Sequence, residues 1–259
     1  MKVFLSEYRH DYSTYTFGYT IYATYDSKED LDLLYPQGFL PYTGNPDLKH
    51  ELYYKSRGIR IDLGKFTDSS ENRRVHRKAA ELEIEYQITP VDQFQAWDSF
   101  YSFAKEYSEE RIGEDKMPMH RIEYIVQRKY LTHVLTFTSK GAVIGYILAI
   151  MTDQLFHYWF AFYDTETREQ GIPIGKWLMW KCIHIAKESN KKYIYLGNGY
   201  LEKSLYKTRD FKAVQYFDGN IWSSQLKELQ RLCLSDQELK LVDEFKQLDN
   251  QDEWLEKLT

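Results

Sequence analysis

Three stretches of this chain carry residue types whose spacing could do chemistry. The first is "YIYLGNGYLEKSLYK" at residues 193–207, where an apolar run ends in glycine, asparagine and glycine before two tyrosines, a serine and two lysines. Turns at strand ends expose backbone amides and polar side chains on a rigid scaffold, which is where enzymes tend to place their working groups. The second is "REQGIPIGK", in which Arg168, Gly171 and Gly175 lead into an apolar helical run. Backbone amides at a helix start, with the positive end of its dipole, attract anions. Pro173 removes one of those donors. The third is "RRVHRK", with Arg73, Arg74, His76, Arg77 and Lys78, supported by Arg57, Arg60 and Lys65. A charge run is usually a solvated face. In a chain of net charge −5, concentrated positive charge is less easily dismissed, and salt-dependent contact with an RNA backbone stands beside the solvated-face reading.

Other reactive residues form weaker patterns. His120 and Glu123 in "MHRIEY" share a helix face, yet a metal site needs three or four convergent ligands. His133 and His157 fall in strand patterns and read as core or cleft histidines. No nucleophile elbow, Walker loop or HExxH motif occurs. Cys182 and Cys233 lie far apart without a CxxC, so a disulfide framework or a cysteine-rich metal site is not expected and a reducing compartment is.

The length of 259 residues allows one large domain or one domain with a subdomain. The 23 tyrosines suit a wide, half-wet cleft, because each buries a ring and keeps a polar tip; they equally suit strands. The start "MKVFLSEYRHDYS" has no long apolar core and no small-residue cleavage site. The most apolar runs, "AVIGYILAIM" and "LFHYWFAFY", are too short to span a bilayer. A cytoplasmic protein without membrane contact is expected.

The elements that must position the three stretches follow from periodicity. "STYTFGYTIYATY" reads as a strand pair around Gly18, "SKEDLDLLYPQGF" as a short helix, and "HELYYKSRGIRIDL" as strand. "DSSENRRVHRKAAEL" reads as a basic loop or helical turn. Phe94, Trp97, Phe100, Tyr101 and Ala104 form one stripe of an amphipathic helix. "GEDKMPMHRIEYIVQRKYLT" is a loop leading into a second short helix. "HVLTFTSKGAVIGYILAIM" is two strands joined at "SKG", "TDQLFHYWFAFYD" a third strand, "KWLMWKCIHIAKES" a helix and "KKYIYLG" a final strand. From residue 224 the chain is helical and charged, with Ser235 and Glu238 as a capping box for a second helix.

Strand, hairpin, strand, loop, helix, strand is the central order of the N-acetyltransferase (GNAT) fold. The expected class is therefore α+β: a GNAT-like mixed sheet with flanking helices over 86–223, an N-terminal α+β subdomain over 1–85 and a helical C-terminal extension over 224–259. In acetyltransferases of this fold the loop before the long helix binds the pyrophosphate of coenzyme A. "REQGIPIGK" is a degraded form of that pattern, with Arg168 and Gly171 in place and Gly175 two residues late.

Two ordered segments also resemble the arginyl-tRNA–protein transferases and bacterial aspartate/glutamate leucyltransferases. The first runs from "GFLPYTG" through "YYKSRGIRIDLGKFTDSSENRRVHRK"; the second is "IGKWLMWKCIHIAKESNKKYIYLGNGYLEKSLYK". The resemblance aligns Tyr195, Leu196 and Gly197 with the family's "YLG", and Lys203, Tyr206 and Lys207 with its "KM.YK". It aligns Arg73, Arg74 and Arg77 with an arginine cluster, and with Lys78 these are the expected tRNA contacts. The family's cysteines, associated with an iron–sulfur cluster or zinc, have no counterpart in "NPDLKHELYYKSRGIRI", so no metal is expected.

The resemblance implies an aminoacyltransferase moving an amino acid from charged tRNA to the α-amino group of a protein or peptide, one with an acidic first residue. No cofactor is expected beyond aminoacyl-tRNA as co-substrate, since the ester is already activated. On this reading Lys207 holds the acceptor's acidic side chain or a terminal phosphate, Tyr206 or Tyr200 relays a proton, and Asn198 orients the amine. Lys203, Tyr195, Gly197, Arg168 and Gly171 line the substrate path. Two alternatives stand beside it: an acyl-coenzyme A N-acyltransferase, and a noncatalytic tRNA- or peptide-binding relative.

Overall fold

Alternating and helical periodicities resolve into twelve strands and seven α-helices among the described residues of the computed structural model, which are 1–11, 16–44, 50–113, 116–165 and 171–236. In chain order the first elements are β1 (Val3–Asp11), β2 (Thr16–Thr24), α1 (Glu29–Leu34), β3 (Phe39–Pro41), β4 (Leu52–Lys55) and β5 (Gly58–Asp62). Next come α2 (Ser70–Ala79), β6 (Ile84–Pro90), α3 (Trp97–Arg111), α4 (Met119–Val126), β7 (His133–Ser139), β8 (Ala142–Met151) and β9 (Leu155–Tyr163). The chain continues through α5 (Ile174–Glu188), β10 (Tyr193–Asn198), α6 (Tyr206–Arg209), β11 (Val214–Phe217), β12 (Trp222–Ser223) and α7 (Leu226–Ser235). This is the α+β GNAT-like fold expected from the order of elements, with mixed strand pairing and a helix over 174–188.

The chain divides into two compact units. The smaller contains Met1–Ile59, Asn198–Tyr206 and Gln215–Thr259; the larger contains Arg60–Gly197 and Lys207–Val214. Residues 60–85, which sequence grouped with the N-terminal subdomain, thus cluster with the larger unit, and 224–236 cluster with the smaller.

In the larger unit the strand order is β5-β10-β9-β8-β7-β6. β6 to β9 pair antiparallel, and β10 joins β9 in parallel. β8 lies at the centre and is buried on both faces over most of its length. Ser139 pairs with Ala142, so the "SKG" signal becomes a tight turn of Lys140 and Gly141. α3 lays Phe100, Ala104 and Ser108 against the sheet at four-residue spacing, in a core with Phe94, Ile122, Tyr146 and Phe162. α5 is buried on most of its surface, which matches its nearly continuous apolar run.

Two local readings change. Of the loop and the helical turn expected for 69–82, the helical reading holds and lengthens into a full helix: Ser69 Oγ accepts from the Asn72 amide (3.1 Å) while Asn72 Oδ1 accepts from the Ser69 amide (3.0 Å), a reciprocal cap. The stretch around Gly18 is a single strand, with Gly18 opposite Arg9 of β1. β6 has no expected counterpart. Its alternation is masked by Glu83 and Glu85, charges that suit an edge strand.

The smaller unit holds a four-stranded sheet of order β1-β2-β4-β3 and the short ribbon β11–β12. Phe4, Tyr22, Tyr42 and Tyr54 cluster on it, with Tyr22 edge-on to Tyr42 at 5.4 Å. The capping box expected at Ser235 and Glu238 lies outside the described residues. No helix among the described residues is long and apolar enough to cross a membrane.

Candidate active site

β9 and β10 run together only briefly. Their parallel pairs are Tyr193 with Leu155, Ile194 with Phe156 and Tyr195 with His157. Beyond His157, β9 continues through Tyr158 to Tyr163 without a β10 partner, so the sheet forks. A bulge accompanies the parting: Leu148 pairs with Phe160 and Ala149 with Tyr158, which leaves Trp159 as the extra residue. Among the described residues no strand pairs with this β9 edge from Trp159 to Tyr163, and such an edge is a row of backbone donors and acceptors that an extended ligand can pair with.

At the fork, Gly197 has φ +81°, and a Cβ placed on it would stand 3.6 Å from Lys207 Nζ. The Lys207 ammonium therefore folds back over the end of β10. His157 is fully buried on the neighbouring strand; burial pushes its imidazole down to about 3, and the charge of Lys207 acts in the same direction. At neutral pH the fork consequently carries a cationic lysine beside an uncharged imidazole. Burial and the Lys207 charge both disfavour the imidazolium, so His157 is a poor proton acceptor at the fork.

A cavity of about 300 Å³ sits at the start of α5, lined by Arg111, Tyr163, Thr165, Gly175 and Lys176 among others. The Tyr163 ring packs directly on Gly175, whose Cβ position lies 2.5 Å from a ring carbon, so a side chain at 175 would have to displace the ring. The Gly175 amide has no hydrogen-bond acceptor among the described residues. Arg111 has no ion-pair partner among them either. Lys176, by contrast, is consumed: it bridges Glu71 (3.2 Å) and Asp210 (2.9 Å). Glu71 also accepts from Nε and Nη2 of Arg74, each at 2.6 Å, and these bonds, Arg74 first and Lys176 second, hold its carboxyl down at about 2.

The other expected site residues fall in several places. Tyr195 is buried in the larger unit, and Gly197 and Lys207 meet at the fork. Gly171 accepts from Lys78 Nζ at 3.4 Å; Arg168 lies outside the described residues. Arg73 donates to the Asp68 carbonyl at 3.0 Å, while Arg77 is exposed. Asn198, Tyr200, Lys203 and Tyr206 belong to the smaller unit. There the Tyr200 hydroxyl accepts the Arg57 amide (2.9 Å), and Arg57 grips Asp236 through two bonds of 2.8 and 3.2 Å. Asp236 also accepts the Leu201 amide at 2.9 Å, so the "NGYL" turn is pinned from both sides. The Asn198 amide group reaches Tyr54 at 3.4 Å, Lys203 is exposed, and Tyr206 is 48% exposed. Arg111, Tyr163 and Asp236 carry no motif that would single them out in sequence. Among the described residues no three His, Cys, Asp or Glu side chains converge as metal ligands.

The profile of the acetyltransferase (GNAT) domain matches residues 69–208, more than half of the chain. The protein therefore belongs to the GNAT acyltransferases. Among solved structures it is similar to the C-terminal domain of a putative lysylphosphatidylglycerol synthetase from Agrobacterium fabrum, at 11% identity over 68% of this chain and 54% of that one, TM-score 0.42. It is similar to L-PGS from Bacillus licheniformis, at 13% identity over 68% and 54%, TM-score 0.43. A possible acetyltransferase from Clostridium difficile 630 matches at 16% identity over 42% of this chain and 74% of that one, TM-score 0.31. The chain spans about half the length of the first two. No curated protein matches it.

The family implies an acyl-coenzyme A donor, and the residues present fit its phosphate-bearing part. Among the described residues the Gly175 amide at the first turn of α5 has no acceptor and Arg111 no ion-pair partner, and both residues line one cavity. The open β9 edge adds the backbone groups that an amide-bearing chain would pair with.

Proposed function

We propose that this chain is an N-acyltransferase that takes an acyl group from a coenzyme A thioester and delivers it to an amine at the β9–β10 fork. The observation that carries this reading is the Lys207 ammonium standing over Gly197 where the two strands part. The donor supplies an acyl group already activated as a thioester. Arg111 and the first-turn amide of α5 bind its phosphates, and the β9 backbone from Trp159 to Tyr163 aligns it along the edge where β10 has parted. The neutral amine attacks the thioester carbon, the carbon–sulfur bond breaks and coenzyme A leaves as the thiol with the proton the amine gives up. Lys207 meanwhile sets a fixed positive charge where negative charge develops on the acyl oxygen. His157 stays neutral and keeps the fork free of a second, competing cation. An α-amino acceptor with a pKa of about 8 is partly neutral at physiological pH and needs alignment more than activation.

The aminoacyl ester of a charged tRNA is the second donor this site would serve, as the likeness to the aminoacyl-tRNA–protein transferases implies. The test is transfer of radiolabel to a panel of amines and peptides from acetyl-coenzyme A and, in parallel, from charged total tRNA. Product from the thioester alone supports the main reading. Product from tRNA alone replaces it with the second, and no product from either rejects both.

A further inference from the structure

The run "RRVHRK" does not form one basic stripe. Folded as α2, it splits into two faces. Arg74 and Lys78, four residues apart, turn to partners in the same unit: Arg74 to Glu71 and Lys78 to the Gly171 carbonyl. Arg73 and Arg77, also four apart, line a hollow of about 430 Å³ with His76, Ser70, Asp68 and Trp180. Like charges at this helical spacing repel, and nothing among the described residues neutralises Arg77.

The floor of the hollow is rigid. Trp180 is buried and sandwiched between two imidazoles, with His76 at 4.4 Å and His184 at 4.3 Å between ring centroids. Its indole N–H donates to Asp68 Oδ1 at 2.7 Å, and His184 Nε2 meets the same oxygen at 3.1 Å. That carboxylate oxygen is thereby turned onto the indole and imidazole. The hollow is lined by two guanidinium forks, an imidazole, the Ser70 hydroxyl and the partly exposed Asp68 carboxylate, whose charge also acts on Arg73, which leaves Arg77 as the fork without a counter-charge among the described residues.

We propose that the hollow between α2 and α5 is a binding site for a small phosphorylated ligand, its phosphate gripped between Arg73 and Arg77. Guanidinium forks match phosphate oxygens two at a time. The volume lies in the range of small-molecule sites and exceeds what a lone phosphate fills. A phosphate would also relieve the repulsion between the two arginines. Because the neighbouring cations face elsewhere and are satisfied, the surface suits one compact anion better than a long polyanion. This assignment is independent of the acyl-transfer reading, whose groups lie at the fork and at the start of α5.

The test is calorimetric titration of the full chain with inorganic phosphate, with adenosine 5′-monophosphate and with total tRNA. Saturable binding of phosphate or the nucleotide is expected, weakened by about 10- to 100-fold in Arg73→Ala/Arg77→Ala. Arg74→Ala/Lys78→Ala should bind as wild type does, as should Lys207→Ala, which alters the fork alone. All substituted side chains other than Lys207 are exposed, and a thermal melt confirms folding of each variant. No saturable binding of either small anion overturns the proposal. So does an equal loss in the Arg74/Lys78 variant, and so does binding of tRNA alone, which would make the face a polyanion surface.

Discussion

Lys207 and Gly197 meet across the turn that separates them in sequence: the ammonium stands 3.6 Å from where a Gly197 side chain would begin. The absence of a side chain at 197 therefore does two things. It permits φ +81°, which costs an L-residue roughly 1–2 kcal/mol, and it leaves the end of β10 open to the lysine.

The charge of Lys207 reaches His157, and this can be read spectroscopically. In wild type the imidazole titrates at about 3, with burial as the larger cause and Lys207 as the second. Lys207→Met removes the second cause only. The His157 pKa, followed by NMR of the ring protons, should rise but stay below the ordinary 6.5. An unchanged value would place the ammonium away from the fork.

The link between α2 and α5 should show in acid. Glu71 is held at about 2 against an ordinary 4.5, so the folded state binds its proton less readily than the unfolded chain does. Its contribution to stability is full above about pH 4.5 and is lost as pH falls through about 2. Glu71→Gln should lower the melting temperature at pH 7 and flatten its dependence between those values. The effect is modest, because the pair is partly exposed and screened by salt. A variant as steep as wild type in that window would contradict the Arg74–Glu71–Lys176 arrangement.

Packing at the start of α5 gives a third expectation. Gly175→Ala drives a methyl into the Tyr163 ring, which lies within 2.5 Å of the Cβ position. Overpacking of this kind costs about 1–3 kcal/mol. Tyr163→Ala in the same chain should recover most of the lost melting temperature, because it removes the clash. Additive losses in the double variant would argue against direct contact.

Much of this architecture was legible in the residues. The long apolar helix, the hairpin at 139–142 and the strand ending at Gly197 announced themselves by period and by turn residues, and with them the fold. The basic run was legible as charge but not as two faces, because the stretch read equally as a loop, and only a formed helix brings residues four apart to one side. β6 was hidden by glutamates that suit an edge strand. The fork is a matter of where pairing stops, and no residue type encodes that. Arg111 and Asp236 were invisible for a simpler reason: an arginine ending a helix and an aspartate in a charged tail look like solvated surface until their surroundings are known.

The central claim is that acyl transfer takes place at the fork under the charge of Lys207. Its most direct test is the single-turnover rate of acyl transfer from saturating acetyl-coenzyme A to an amine, compared between wild type and Lys207→Ala. Removing one preorganised charge from a transition state costs roughly 3–4 kcal/mol, or about 10²–10³ in rate. The account predicts a fall of that size with donor affinity nearly unchanged and substantial recovery in Lys207→Arg, which restores the charge. A Lys207→Ala rate within about threefold of wild type, far short of that fall, would contradict it.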